Sequence, residues 1–370
     1  MTPKRPEGAG AFPDTVESPA PKPPNRAPLY AALDLGTNSC RMLIAEPLGT
    51  SFRVVDSFSK SVQLGAGLEM TGRLSRASIG RTIVALRVCQ KKLLRHKVRK
   101  MQLVATEATR RAVNGAAFMS RVKRETGLSL NVITPLEEAQ LAVVSCAPLV
   151  SKQTTQLLVV DIGGGSTELV WIDLRDVPKD ERRRAIMRLH GGFNVVQDGV
   201  PRARVVDWIS VPLGVATLRD QFQDVEDDGA RFALMSWFFE ENLAEFAPYK
   251  QEQSREGFQI VGTSGTVTTV AASHLGLKRY DRNRVDGLRM SSDEIDKVIR
   301  HYLALGPAGR RNDPRIGLDR QALIMSGAAI LQALLRCWPT DRLSVADRGL
   351  REGMLYAQMS ADGVLEDEED

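Results

Sequence analysis

The sequence predicts an α/β protein with two domains facing an interdomain cleft. Three observations carry that expectation. An apolar strand ending in aspartate, then a glycine-containing turn and a hydroxyl-rich return strand, occurs twice, at Asp34 and at Asp161. Strand-like runs alternate with long helical patterns along the chain. The chain has 370 residues, 43% hydrophobic and 26% charged, which is enough for two cores. One motif met twice argues for two domains of similar topology.

The elements follow in order. Residues 1–27 hold seven of the 18 prolines and almost no apolar periodicity, and read as a disordered leader. Order begins with a buried strand over Leu29–Asp34. Gly36-Thr-Asn38 turns the chain into a return strand at Cys40–Ala45, and Phe52–Phe58 makes a third strand. Ser75 to His96 has helical spacing, with Ile79, Ile83, Leu86, Leu93 and Leu94 assigned to the core. Its other face, with Arg76, Arg81, Arg87, Lys91, Lys92 and Arg95, reads as solvated. A strand at Met101–Thr106, a helix at Ala116–Thr126, a strand at Leu130–Ile133 and a helix entered at Thr134 come next. The pattern then restarts with a strand at Leu157–Asp161, a turn at Gly163–Gly165 and a return strand at Ser166–Trp171. Residues 174–205, including Arg182-Arg-Arg184, read as an insertion with a solvated charge run. Later elements are a strand at Gln259–Gly262, helices near Thr266–Leu275, Ser291–Leu305 and Asp319–Cys337, a strand at Leu343–Ala346 and a last helix from about Arg348. The expected domains are 28–139 with about 348–360, and 140–347. Residues 361–370 form a loose acidic tail.

Bulk properties narrow the function. No apolar run is long enough to span a membrane, and the start, Met1-Thr-Pro-Lys-Arg-Pro, has no secretory core. The four cysteines are scattered without metal-type spacing and suit reduced thiols in a cytoplasmic protein. The four histidines show no paired ligand spacing. Net charge is +5, and the five carboxylates of Glu366–Asp370 leave about +10 on the rest. A basic body suits an anionic partner. Aromatics at 5%, with no stacking motif, disfavour nucleic acid.

The two aspartate-ended hairpins carry the chemistry. Backbone N–H groups in such turns form an anion-binding concavity, and glycine lets phosphate oxygens come close. The candidate phosphate contacts are Gly36, Thr37, Asn38 and Ser39 in the first turn, and Gly163, Gly164, Gly165, Ser166 and Thr167 in the second. Asp34 and Asp161 would repel phosphate unless a divalent cation lies between; Mg²⁺ favours oxygen ligands and keeps waters, so the two aspartates would hold it through water. A third turn, Gly262-Thr263-Ser264-Gly265, leads from a strand into a helix, whose N-terminal amides favour an anion. No GxxxxGK[ST] occurs, so this is not a Walker-type loop.

Together with Ala105-Thr-Glu-Ala-Thr-Arg110, Glu137-Glu-Ala139 and Asp347-Arg-Gly-Leu-Arg-Glu-Gly-Met354, these motifs resemble the exopolyphosphatase and guanosine pentaphosphate phosphohydrolase (Ppx/GppA) family of the actin, sugar kinase and Hsp70 superfamily. The resemblance covers about residues 28–358. It implies two ribonuclease-H-like, actin-like domains and removal of terminal phosphate with Mg²⁺ or Mn²⁺ as cofactor. It places Arg41 and Arg110 along the substrate path, where guanidinium forks suit phosphate oxygens. The large C-terminal helical domain of longer relatives is not expected here, which argues against high processivity on long polymers.

Two glutamates compete for the role of base. Thr134-Pro-Leu-Glu137 fits a capping box, with Thr134 as N-cap, Pro135 at N1 and Glu137 reaching back, which gives Glu137 a structural task. Glu138 is then free to face the cleft, and the resemblance favours it as general base. Strand alternation puts Ser166 and Glu168 on one face, so Glu168 is a second catalytic or metal-linked carboxylate. The expected substrate is polyphosphate, with guanosine pentaphosphate as the alternative, and a homodimer is left open. A kinase of the same superfamily and a non-enzymatic alarmone sensor are the competing readings.

Overall fold

The computed structural model describes residues 28–193, 203–250, 256–317 and 320–365. The proline-rich leader and the five terminal carboxylates lie outside the described residues, as do Asp319 and part of the 174–205 segment.

The chain opens with strands β1 (Tyr30–Leu35), β2 (Ser39–Leu48) and β3 (Ser51–Ser61). Helix α1 (Leu68–Thr71) leads to α2 (Arg76–Arg95), capped by the Ser75 hydroxyl, which accepts from the Ser78 N–H. Strand β4 (Lys100–Ala105), helices α3 (Glu107–Arg111) and α4 (Gly115–Thr126), and the short β5 (Asn131–Val132) complete the first sheet region. Helix α5 (Pro135–Cys146) follows. The second half runs through β6 (Gln156–Ile162), β7 (Thr167–Asp173), α6 (Arg182–Met187), β8 (Arg204–Val211), α7 (Val215–Gln221), α8 (Asp228–Glu241), β9 (Phe258–Thr263), α9 (Gly265–His274), α10 (Arg282–Val285) and β10 (Arg289–Met290). It ends with α11 (Ser292–Asn312), α12 (Ile324–Cys337), β11 (Leu343–Ala346) and α13 (Leu350–Ala361).

The two sheets repeat one design. The first has the order β3-β2-β1-β4-β5, and the second, read from its other edge, β8-β7-β6-β9-β11-β10. In both, the first two pairings are antiparallel and the next two parallel. Register puts Asp34 opposite Arg41 and Asp161 opposite Glu168. The repeat therefore presents equivalent aspartates, each with a different side chain across the hairpin.

Helix α5 joins the halves. Its Ala139, Val143 and Cys146 pack with Leu157, Val159 and Val170 of the second sheet. Its Leu141 packs with Tyr30 and Ala32 of β1 and with Leu350 and Met354 of α13. α13 crosses α5 at Gly353, where a Cβ would stand 2.1 Å from the Leu141 carbonyl oxygen. Only a residue without a side chain lets the two backbones approach that closely. Pro135 and Glu137 place α5 as their spacing predicts: the Thr134 N–H donates to Glu137 Oε2 at 2.7 Å, and the Glu137 N–H donates back to Thr134 Oγ1 at 3.2 Å.

Several expectations need correction. Leu94 is 69% exposed, because the buried stripe of α2 runs through Ile79, Ile83, Leu86 and Leu93, and Leu94 is rotated off it. The 174–205 segment runs directly into β8, which begins at Arg204 and pairs along β7. The described start of that segment is packed rather than solvated: Leu174, Val177, Ala185, Ile186 and Leu189 are buried against α5. Arg182 is buried too, donating to the carbonyls of Lys152 at 2.6 Å and Val177 at 3.2 Å. The chain stays anchored past Ala361, where Asp362 accepts bonds from Tyr30 Oη and Lys100 Nζ, both at 2.6 Å. Among the described residues no helix is long and apolar enough to cross a membrane.

Candidate active site

A cleft of roughly 180 Å³ lies where the hairpins of the two sheets meet. Asp34, Gly36–Ser39 and Arg41 line it from the first hairpin, and Asp161 and Gly163–Ser166 from the second. Thr263–Gly265 and Glu138 complete the sequence-predicted part of the wall. The structure therefore brings residues from four distant stretches to one place.

Both hairpin turns close in the same way. The Gly36 N–H donates to the Ser39 carbonyl at 3.0 Å, and the Gly163 N–H to the Ser166 carbonyl at 2.9 Å. The carbonyls of Thr37 and Asn38 turn back to accept from the 62–65 segment. Among the described residues, the N–H groups of Thr37, Asn38, Gly164 and Gly165 find no backbone acceptor. The hairpins also touch: a Cβ on Gly165 would lie 2.6 Å from Thr37 Oγ1 and 2.9 Å from Glu107 Cγ. That Thr37 hydroxyl is buried and has no hydrogen-bond partner among the described residues. A buried orphan beside the cleft calls for a polar ligand, since leaving it unmet costs about 1–3 kcal/mol.

Glu138 sits one residue past the capping box, on the face of α5 turned to the cleft, and is 7% exposed. Arg110 holds it: Nη1 donates to Glu138 Oε2 at 2.8 Å and to the Ile133 carbonyl at 2.7 Å, while Nη2 donates to Glu107 Oε2 at 2.8 Å. Glu168, on β7, accepts from Ser210 Oγ at 2.8 Å and is 2% exposed. Thr167 points the other way and donates to the Leu213 carbonyl at 2.7 Å. Gly262 lies inside β9 against Val267. Arg110, Glu168, Thr167 and Gly262 are thus not on the cleft surface. Arg110 and Glu168 stand behind Glu138, and the other two serve packing.

The carboxylates share one field. Burial pushes Glu138 well above the usual carboxylate range, with Glu168 adding to the push and Arg110 opposing it. Burial lifts Asp161 to about 8, with Glu138 and Asp34 reinforcing it. Glu168 rises to about 7, first by burial and then by Asp161, against bonds from Ser166 and Ser210. Asp34 is raised by burial despite Arg41 and Arg351. Glu138 and Glu168 are buried and Asp34 and Asp161 half-buried, and four carboxyls this close outnumber the arginines that offset them, Arg41, Arg110 and Arg351. Yet among the described residues no three His, Cys, Asp or Glu side chains converge as direct ligands of one ion. An all-oxygen set that is short of positive charge, but not converged, fits a hydrated cation held through water better than a bare one.

Sequence reasoning missed part of the wall. Arg320 reaches in from the turn before α12, donating to the Gly265 carbonyl at 2.7 Å and to Thr268 Oγ1 at 3.1 Å. Nothing in its local sequence marks it. Arg348 and Arg351 also line the cleft, and the Asp347–Met354 motif contained both without identifying either. Glu107 was likewise within a quoted motif.

A model of the Ppx/GppA phosphatase family matches residues 43–362. A protein of Aeromonas salmonicida named guanosine-5′-triphosphate,3′-diphosphate pyrophosphatase is 28% identical over 333 residues, covering 90% of this chain and 60% of that protein. The chain thus spans about 60% of the length of the curated relatives it matches. The solved Ppx/GppA family member of Aquifex aeolicus is 29% identical with a TM-score of 0.70, covering 90% of this chain and 98% of its own. An exopolyphosphatase of Cytophaga hutchinsonii, 21% identical, shares the fold with a TM-score of 0.74, covering 91% of this chain and 98% of its own. The repeated sheets, the paired hairpins and the extent of the match make this chain a member of the Ppx/GppA phosphatase family.

Proposed function

We propose that the chain hydrolyses phosphoanhydride bonds and releases terminal orthophosphate from inorganic polyphosphate. The observation that carries this reading is the placement of Glu138: a buried carboxylate, clamped by Arg110, facing a cleft whose two glycine turns offer free backbone donors.

The terminal phosphoryl group sits between the turns at Gly36–Ser39 and Gly163–Ser166, with Arg41 and Arg320 on its oxygens and the third turn at Thr263–Gly265 holding the next phosphate. Glu138 takes a proton from a water aligned with the terminal phosphorus. The water oxygen bonds to phosphorus, the bridging P–O bond breaks, and the electron pair leaves with the shortened chain. A base with a raised pKa is matched to proton transfer near neutral pH. Glu168, behind Glu138, keeps the Glu138 basicity high through like charge, and Ser166 on the cleft wall orients the water. Asp34 and Asp161, the two aspartates on the cleft wall, would hold hydrated Mg²⁺, with Mn²⁺ as a substitute, and Glu168 behind them would add only its charge. That ion supplies charge neutralisation for the phosphoryl oxygens. The positive charge that a Walker lysine gives elsewhere is divided here between the cation and arginines.

Guanosine pentaphosphate is the second reading, favoured by the activity for which the Aeromonas relatives are named. A panel decides: purified protein with Mg²⁺ is given long polyphosphate, tripolyphosphate, guanosine pentaphosphate and ATP, and orthophosphate is measured. Release from polyphosphate above the others is expected. Preference for the pentaphosphate would replace the first reading with the second, and no release from any anhydride would overturn both. Retained binding without release would favour the sensor.

A further inference from the structure

A second concavity, of about 360 Å³, lies behind the cleft wall. Arg219 of α7, Arg231 of α8 and Arg310 and Arg311 of α11 line it, with Asp228 as its one carboxylate. Its framework is stitched by polar groups that cross between elements. Ser326 Oγ donates to the Val215 carbonyl at 2.7 Å, joining α12 to α7. Gln321 Nε2 donates to the Arg311 carbonyl at 2.8 Å. Arg310, 4% exposed, donates to Asp228 at 2.7 Å and to the Tyr302 carbonyl at 2.7 Å. Arg310 and Asp228 therefore build the floor. Arg231 touches the same carboxylate only at 3.2 Å, and Arg219 pairs with its sequence neighbour Asp220. Arg311 is exposed and pairs with no carboxylate among the described residues. Counting Asp228 and Asp220 against Arg219, Arg231, Arg310 and Arg311 still leaves two guanidinium charges in excess, and low-dielectric walls concentrate their field.

The concavity and the cleft share walls. On α7, Val215 faces the cleft, and Arg219, one helical turn on, faces the concavity. On the segment entering α12, Arg320, Leu323 and Ile324 line the cleft, while Gln321, Ala322, Met325 and Ser326 line the concavity.

We propose that this concavity is a second anion subsite, which takes distal phosphates of the polyphosphate chain whose end lies in the cleft. The proposal rests on the hydrolase reading for its substrate but not for its test. Arg219, Arg231 and Arg311 make the contacts, as guanidinium forks match tetrahedral phosphate oxygens. A substrate too short to leave the cleft cannot use them, so the subsite selects for chain length.

The double variant Arg231→Gln/Arg311→Gln tests this. A control, Arg53→Gln/Arg300→Gln, removes the same charge from exposed pairs elsewhere. Equilibrium binding of long-chain polyphosphate is expected to weaken roughly tenfold in the first variant and to hold in the control, and kcat/KM on long chain relative to tripolyphosphate should fall by a similar factor. Equal losses in both variants, or none in the first, would overturn the proposal. Calorimetry with inorganic pyrophosphate separates the sources. Loss of a pyrophosphate site with long-chain affinity intact would mean a separate small-anion site and overturn the single-chain assignment. If no substrate is hydrolysed, the hydrolase reading fails and the long-chain affinity alone decides the subsite.

Discussion

Replacing Arg110 with Met isolates the clamp on Glu138. The guanidinium makes three bonds, at 2.7–2.8 Å, and two of them end on carboxylates. Arg110 is 15% exposed, Glu138 10% and Glu107 12% at their side chains, so solvent screens the pairs little. Breaking a buried pair by removing one partner costs about 3–5 kcal/mol when the orphan stays charged. A carboxyl can escape part of that by binding a proton. Removal of Arg110 takes away the influence that lowers the Glu138 pKa, so the folded-state value rises further above the unfolded one. The folded state then binds more protons than the unfolded state, and stability falls as pH rises. The Arg110→Met deficit should therefore be smaller near pH 5 than near pH 8, growing by at most about 1.4 kcal/mol per pH unit once pH passes the wild-type Glu138 pKa. Urea unfolding of both proteins across that range measures it. A deficit independent of pH, or one that shrinks with rising pH, would refute the electrostatic coupling. In the same variant the acid limb of the kcat profile should move to higher pH.

Other outcomes follow from the same structure. Gly353→Ala inserts a Cβ 2.1 Å from a backbone oxygen that cannot yield. Overpacking of about 1–3 kcal/mol exceeds the roughly 0.5–1 kcal/mol helix gain, so the denaturant midpoint falls. Arg320→Gln removes a guanidinium fixed on the third turn, and its loss should raise KM for polyphosphate about tenfold or more, read from initial rates. Thr134→Ala deletes the α5 N-cap and should cost about 1 kcal/mol in urea unfolding. Glu137→Ala disturbs only the same cap, so its phosphate release should exceed that of Glu138→Gln by on the order of 100-fold.

Much of this arrangement was legible in the chain because short-range rules govern it. Aspartate, glycine turn and hydroxyl return strand specify a hairpin locally, so both glycine turns were readable and their repetition implied the repeated sheet. The Thr134–Glu137 box fixed the helix start and separated Glu137 from Glu138 before any packing was known. Long-range approach was not legible. Arg320 enters the cleft only because the turn before α12 folds against α9. The burial of Glu107 depends on Gly165, 58 positions away, having no side chain. Leu94 misled because two adjacent leucines on a helix cannot both face one core. Arg182 misled because a run of three arginines looks solvated, although carbonyls of a neighbouring loop can satisfy one of them.

The central claim is that Glu138 activates the attacking water. Orthophosphate release from polyphosphate by wild type and by Glu138→Gln, with Mg²⁺ present and polyphosphate binding measured in parallel, tests it most directly. The account predicts that kcat falls by about 100-fold or more while binding persists. A Glu138→Gln protein that releases phosphate at the wild-type rate would contradict it.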